Sequence, residues 1–241
     1  MLKDKGLDDL LKQCSNDDLE PLVGYILKKS TEGLSAKPEY KMHHPNHKKY
    51  VKEIVDEIQL FGGNTIANLY RGHGVPYAEI VSDVASKLGV KTNSDMYVED
   101  LEREIQVKML ENMYKEMNDE QKEALLKEAN YSYFGSIPKA LPIVAIQAAM
   151  RGVMLVKGGF FPYKTAVTVA NVMSRAVSGH GLAFATNPAL TRGISFFLGR
   201  IGWAITGALT VWQIASSAYS VTIPCVAHIA YLRQKQKTEI K

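Results

Sequence analysis

The second half of this chain has almost no acidic side chains. Between Glu128 and Glu239 there are ten lysines and arginines and no aspartate or glutamate. A stretch of this length with ordinary composition carries roughly a dozen acids. A Ser/His/Asp set in this half would have to use His180 or His228 without an acidic partner, which argues against an enzyme. The same absence indicates an anionic partner, such as a membrane surface, a nucleic acid or an acidic protein face.

The missing acids divide the chain into two parts of opposite charge. Residues 1–130 hold 18 bases and 24 acids, whereas residues 131–241 hold 11 bases and one acid. The overall charge of +4 conceals this division. We therefore expect two domains: an acidic helical interaction module over 1–130 and a basic, glycine-rich, apolar helical domain over 131–241.

Cysteine is also scarce. Cys14 and Cys225 lie in opposite halves, which is not the pattern of a disulfide framework and suits a reducing cytoplasm. We expect both thiols to be small buried groups rather than nucleophiles. The N-terminus lacks the apolar run of a secretory signal, so we expect a cytoplasmic protein that is either peripheral to or inserted in the inner membrane.

Helical periodicity dominates the first half and predicts an all-α fold, a bundle of several helices. The pattern predicts two short helices within 7–29, with Ser15 as the N-cap of the second. It predicts further helices over 48–61, from Pro76 to Gly89, and over 96–129. The inner face of the last helix is predicted to include Leu101, Ile105 and Met109.

Residues 30–49 are predicted to form a solvated basic loop, because glycine and proline interrupt any periodicity. The loop contains His43, His44 and His47, which raises the alternative of a metal site. Neither cysteine nor the spacing of a zinc-binding helix accompanies these histidines. No metal or cofactor is therefore predicted.

A glycine-rich motif, FGGNTIANLYRGHGVPYAEIVSDVASKLG, covers 61–89. This motif does not match a phosphate-binding loop, because the GK[ST] ending is missing. A helix-turn-helix that reads DNA is geometrically allowed, but Glu79 and Asp83 would repel phosphate. The remaining interpretation is a tight helical corner in which Arg71 pairs with Glu79 or Asp83. The predicted structural motif comprises Gly62, Gly63, Asn64, Asn68, Arg71, Gly72, Gly74 and Asp83.

The segment 201–232 contains no Lys, Arg, Asp or Glu. Pro224 is expected to divide it and to leave Ile201–Ile223 as a helix of about 34 Å, enough for a hydrocarbon core of roughly 30 Å. Seven polar side chains weaken this candidate span, and a buried helix pair in a soluble domain explains the pattern as well. The cations predicted to contact an anionic membrane are Arg151, Lys157, Lys164, Arg175, Arg192, Arg200 and Arg233.

Two blocks of the sequence resemble the bacterial YaaW-like family: residues 61–88 and IGWAITGALTVWQIASSAYSVTIPCVAHIAYLRQK at 201–235. The opening LKQCSNDDLEPLV (11–23) is similar to the N-terminal region of the same family. Members sometimes carry a label that links them to ubiquinol–cytochrome c chaperones. The resemblance implies a helical bacterial protein, associates it with stress or conflict responses, and carries over no catalytic residue.

The leading hypothesis is a non-enzymatic protein whose cationic C-terminal half associates with, or conditionally inserts into, the cytoplasmic membrane. The acidic module would mask that half electrostatically. The alternative is a soluble helical chaperone or adaptor that binds another protein, with the C-terminal half buried in its own core. Self-association is compatible with both hypotheses. Nucleic acid is a weaker partner, because the cations are widely spaced and form no stripe.

Overall fold

The computed structural model describes residues 6–29, 33–62, 74–93, 95–116, 119 and 218–239. In these ranges the chain forms eight α-helices, one 3-10 helix and no β-strand, which confirms the all-α prediction. The 3-10 helix spans His47–Tyr50 and lies between α4 and α5. The α-helices are α1 Leu7–Lys12, α2 Asn16–Leu27, α3 Gly33–Ala36, α4 Pro38–His43, α5 Val51–Gly62, α6 Tyr77–Lys87, α7 Val98–Glu116 and α8 Tyr219–Glu239.

Helix ends follow local sequence signals. Ser15 is the N-cap of α2: its hydroxyl accepts a hydrogen bond from the Asp18 backbone N–H at 3.2 Å. The Asp18 carboxylate in turn accepts one from the Ser15 backbone N–H at 3.1 Å. This reciprocal capping box satisfies two donors that the first turn leaves unpaired. Beyond α6, Gly89 adopts a φ of 71°, which glycine tolerates best. The predicted cap at Ser15 and the predicted end at Gly89 are both confirmed.

The prediction of a loop over 30–49 was wrong for most of that range. The chain instead forms α3, α4 and the 3-10 helix, and Leu34 and Tyr50 are buried. The Tyr40 ring stacks on His44 with centroids 4.9 Å apart and meets Tyr50 edge-on at 5.4 Å. Aromatic contacts between neighbouring short helices stabilise this structure. The sequence therefore lacks the regular spacing of apolar residues that would have predicted these helices.

The histidines of this region serve packing and hydrogen bonding. His47 is buried, and its two ring nitrogens contact the Tyr50 hydroxyl and the Glu20 carboxylate. Asn16 donates to the Pro45 carbonyl at 2.9 Å and accepts from the His47 backbone N–H at 2.6 Å. Nowhere in the described ranges do three or more His, Cys, Asp or Glu side chains cluster as they would around a metal ion.

Helix α8 lies at the centre of the described fold. It packs against α2, α5, α6 and α7, and every residue from Ser220 to Arg233 is buried. Its side chains enter one hydrophobic core with those of α1 and α2 and of α5 to α7. A helix that is buried on all sides needs apolar residues around its whole circumference, which explains the uncharged run before Arg233.

Pro224 does not divide this segment as predicted. It is the sixth residue of α8, and the helix continues through it to Glu239. Pro21 occupies the corresponding position of α2. A proline removes one backbone hydrogen bond from a helix, and burial of the surrounding side chains offsets that cost here.

The helix α8 comes from the predicted second domain, yet it shares its core with the first half of the chain. The predicted boundary at 130/131 falls outside the described residues. Of the candidate span 201–223, only 218–223 are described. Within the described residues, no helix combines the length and the apolar character that crossing a bilayer requires.

Two glycines of the predicted corner lie where chain segments touch. A Cβ on Gly74 would lie 2.2 Å from the Gln59 carbonyl carbon, and one on Gly62 would lie 2.3 Å from Ile80 Cγ1. The Val75 N–H donates to the Gln59 carbonyl at 3.1 Å. Asp83 is exposed on α6. Gly63, Asn64, Asn68, Arg71 and Gly72 lie outside the described residues, and so does the predicted Arg71 ion pair.

We expect Gly74→Ala to destabilise the protein by about 1–3 kcal/mol, because the new methyl group would overlap the backbone of α5. Gly24→Ala is the matched control. Gly24 lies inside α2, and a Cβ added there would have nothing within 4 Å, so alanine should stabilise the helix by about 0.5–1 kcal/mol. Urea unfolding at neutral pH measures both changes. Equal effects of the two substitutions would contradict the close approach at Gly74.

Candidate functional site

The polar side chains of α8 meet α1, α2, α6 and α7 in a set of contacts that we call the docking interface. At its centre is the ion pair between Arg233 and Glu102. The Arg233 Nε and Nη2 atoms donate to the two carboxylate oxygens of Glu102 at 2.8 and 3.2 Å. Arg233 is 5% exposed and Glu102 is 1% exposed. This two-bond geometry is the one in which arginine binds a carboxylate most strongly.

Two further groups complete the central ion pair. The Tyr77 hydroxyl of α6 donates to Glu102 Oε1 at 2.9 Å. Glu99 lies one turn before Glu102 on α7, with its Oε1 atom 3.8 Å from Arg233 Nη1. Burial alone would lower the pKa of the Arg233 guanidinium, but Glu102, Tyr77 and Glu99 together outweigh burial and raise that pKa. The pair is therefore charged and joins three helices.

The last two turns of α8 carry two more cations, and both are paired. Lys235 Nζ lies 2.7 and 3.0 Å from the carboxylate oxygens of Asp18, in the first turn of α2. Lys237 contacts the carboxylate of Glu99 on α7. Partial burial would raise the pKa of Asp18, but hydrogen bonds from Lys235 and Ser15 outweigh burial and lower it. Acidic residues of the first half thus neutralise the cations near the C-terminal end of α8.

His228 binds the same turn of α2. Its Nε2 atom lies 2.8 Å from the Asp18 backbone carbonyl, which can only accept, so Nε2 carries the proton. The Nδ1 atom is buried and has no hydrogen-bond partner among the described residues. The ring packs against Tyr25 and Tyr231. Burial lowers the pKa of His228 to about 4, so the imidazole is neutral at physiological pH.

Neutral polar groups and the two cysteines complete the interface. Gln236 donates to the Leu10 carbonyl of α1 at 3.0 Å, and Gln106 of α7 donates to the Ala227 carbonyl at 3.3 Å. Cys14 and Cys225 are free and buried. Burial raises the pKa of Cys14 to about 12 and raises that of Cys225 as well. Protonated thiols of this kind are poor nucleophiles, which agrees with their interpretation as packing groups.

The structure moves one predicted membrane cation to the interior. Arg233 was expected to contact lipid headgroups, but in this fold its guanidinium is buried against Glu102, where headgroups cannot reach it. The buried Glu102 carboxylate would be costly without a counter-ion, and Arg233 provides that counter-ion. The other six predicted contacts lie outside the described residues: Arg151, Lys157, Lys164, Arg175, Arg192 and Arg200.

Sequence reasoning did not identify Glu102, Glu99, Asp18 or Tyr77 as partners of α8. One local signal existed for Glu102. It continues the apolar stripe of Val98, Ile105 and Met109 at helical spacing, so a carboxylate occurs where a core residue is expected. Its partner lies 131 residues further along the chain, and no local pattern indicates it.

We expect Arg233→Leu to cost about 3–5 kcal/mol of unfolding free energy, because Glu102 would remain buried without its counter-ion. Replacing the group together, as Arg233→Leu, Glu102→Leu and Tyr77→Phe, should recover most of that loss. Lys12→Met removes an exposed ion pair with Asp8 and should change stability little. Urea unfolding of the three variants measures the differences. An Arg233→Leu protein as stable as the wild type would contradict the buried pair.

Stability should fall with acid through His228. The folded protein binds the His228 proton less readily than the unfolded chain, because the pKa is lowered from 6.5 to about 4. Stability is therefore complete above about pH 6.5 and declines by about 3 kcal/mol as the pH falls to about 4. His228→Gln keeps a donor for the Asp18 carbonyl and does not titrate, so its stability should change less over this window. An equal loss of stability in the wild type and in His228→Gln over this pH range would refute the role of His228.

Comparison with known proteins places the chain in a bacterial family. A UPF0174 protein of Helicobacter pylori strain J99 is 36% identical over 233 residues, which cover 94% of this chain and 90% of the relative. Another, from H. pylori strain 26695, is 32% identical over 209 residues, covering 86% and 99%. YaaW of Escherichia coli, also a UPF0174 protein, is 30% identical over 192 residues, covering 80% and 74%. No family model and no solved structure matches the chain. The similarity extends over most of both sequences, and the chain belongs to the UPF0174 family, as its resemblance to YaaW-like proteins predicted.

Proposed function

We propose that this protein is non-enzymatic and associates reversibly with the inner face of the cytoplasmic membrane through its cationic, apolar C-terminal half, under control of its acidic N-terminal helices. One observation carries the proposal. Arg233, Lys235 and Lys237 each pair with a carboxylate of α2 or α7. The acidic helices thereby hold one end of the cationic half.

We call residues 129–238 the acid-free segment. Six of its ten cations supply the proposed membrane contact: Arg151, Lys157, Lys164, Arg175, Arg192 and Arg200. Anionic lipid attracts each lysine or arginine near its surface by about 1 kcal/mol. The segment contains no carboxylate, so it has no negative charge that the anionic lipid would repel. The apolar residues between the cations would add hydrophobic contact at the headgroup boundary.

The docking interface limits how the segment can enter a bilayer. Val221 and Ile223 belong to the core, so insertion of the whole candidate span 201–223 would require the first turns of α8 to leave it. We therefore place the membrane contact before α8, with α8 docked. The helices α7 and α8 pack together. If the segment between them enters the bilayer, both ends of that segment therefore lie on the same side of the membrane.

A second candidate function is a soluble helical chaperone or adaptor that binds another protein. The observation in its favour is the position of α8, which lies at the centre of the core as that hypothesis expects of the C-terminal half. A single species that purifies without detergent, melts cooperatively and does not bind lipid would support it. A role in stress or conflict responses is compatible with both candidates.

The test of the membrane proposal is flotation with vesicles that contain phosphatidylglycerol, compared with vesicles of phosphatidylcholine alone. We expect binding to the anionic vesicles at low salt and release at high salt, because the attraction is electrostatic. Replacing these six cations of the acid-free segment by glutamine should lower affinity on the order of ten-thousandfold, at about fivefold per charge. Recovery of the wild type in the soluble fraction at low salt, equal for both vesicle types, would disprove the proposal.

A further inference from the structure

A second cationic surface lies on the acidic half of the chain. We call residues 37–52 the basic lobe; they comprise α4, the 3-10 helix and the start of α5. The basic lobe holds five lysines and one carboxylate, Glu39, whereas acids outnumber bases over residues 1–130 as a whole. This local reversal of charge gives an otherwise acidic module a segment that an anionic surface can approach.

The basic lobe is built as a fixed surface. Buried His47 and Tyr50 anchor its 3-10 helix, and Tyr40 and His44 pack beside them. Asn16 fastens the Pro45–His47 backbone to the start of α2 through two hydrogen bonds. The backbone that carries the lysines is therefore held in place, which lowers the entropic cost of ordering the lobe on binding.

Three lysines of the basic lobe are available to a partner. Lys41, Lys48 and Lys49 are exposed, and none of them forms an ion pair within the part of the chain that the structure describes. The cations of α8, in contrast, are neutralised by carboxylates of the same protein. The basic lobe thus retains charge for an external anion.

An apolar side chain accompanies these lysines. Met42 follows Lys41 on α4 and is 76% exposed, the largest exposure among the described large hydrophobic residues. Methionine is flexible and polarizable, and it suits a soft apolar environment. Cations beside an exposed apolar group match a lipid surface, where headgroups are anionic and acyl chains lie just beneath. A nucleic-acid backbone would use the charges but not Met42.

We infer that the basic lobe is a second membrane-contacting site, at which Lys41, Lys48 and Lys49 bind anionic lipid headgroups while Met42 enters the acyl boundary. The inference rests on the proposed membrane function and adds a contact on the N-terminal module itself. It gives that module a defined orientation: the basic lobe faces the membrane. Two separate contacts on one chain bind more tightly than either alone, since the second is made at high effective concentration.

The test uses the full-length protein and vesicles that contain phosphatidylglycerol. The variant Lys41→Gln/Lys48→Gln/Lys49→Gln should bind on the order of a hundredfold more weakly, at roughly fivefold per lysine. The matched control is Lys28→Gln/Lys29→Gln/Lys91→Gln, which removes the same charge from exposed lysines elsewhere and should bind within a fewfold of the wild type. Equal weakening of both variants would show a general charge effect and overturn the inference.

Met42→Ser separates the apolar contact from the charges. It should weaken binding by about tenfold, and that ratio should persist as salt rises, because burial of an apolar side chain is not screened. If Met42→Ser binds the vesicles as tightly as the wild type, Met42 is not part of the site. Thermal unfolding of the basic-lobe variant, its matched control and Met42→Ser should match the wild type, since the side chains substituted in these three variants are exposed.

The variant that lacks the six cations of the acid-free segment distinguishes the two proposals. If it loses binding while the basic-lobe variant binds like the wild type, the basic lobe is not a lipid site and the proposed function stands. If the basic-lobe variant loses binding while the six-cation variant keeps it, the C-terminal half is not the membrane contact. A wild type that binds a DNA duplex but no anionic vesicle would overturn both.

Discussion

The ion pair between Arg233 and Glu102 is the interaction on which the described fold depends most. A charge removed from water is stable in a protein only when a partner and further hydrogen bonds compensate it. Here the carboxylate receives two bonds from Arg233 and one from Tyr77, so α6, α7 and α8 meet at one group. Helix α8 can be central to the core because the cation that it buries there is compensated.

Polar contacts also give α8 a defined rotation. A helix with apolar residues on all sides packs similarly in several orientations, and hydrophobic burial alone discriminates poorly between them. The bonds of His228 and Lys235 to Asp18, and of Gln236 to Leu10, are made in one orientation only. Directional bonds therefore supply the specificity, and apolar burial supplies most of the stabilising free energy.

Part of the charge division of the chain is used in ion pairs within the described fold. Carboxylates of α2 and α7 neutralise the cations of α8. The proposed membrane contacts are other cations, six in the acid-free segment and three on the basic lobe. Within the described residues, α8 shares one hydrophobic core with helices of the first half of the chain.

Local sequence determined the helical class, the capping box at Ser15, the end of α6 at Gly89 and the inner face of α7, because these features depend on residues within a few positions. Only the tertiary structure decided the short helices between Gly33 and Tyr50, the passage of α8 through Pro224 and the burial of Arg233. Each of these depends on contacts with another element, and the partner of Arg233 lies 131 residues away. The physical reason is that burial and pairing are properties of the assembled core, whereas periodicity and capping belong to the local chain.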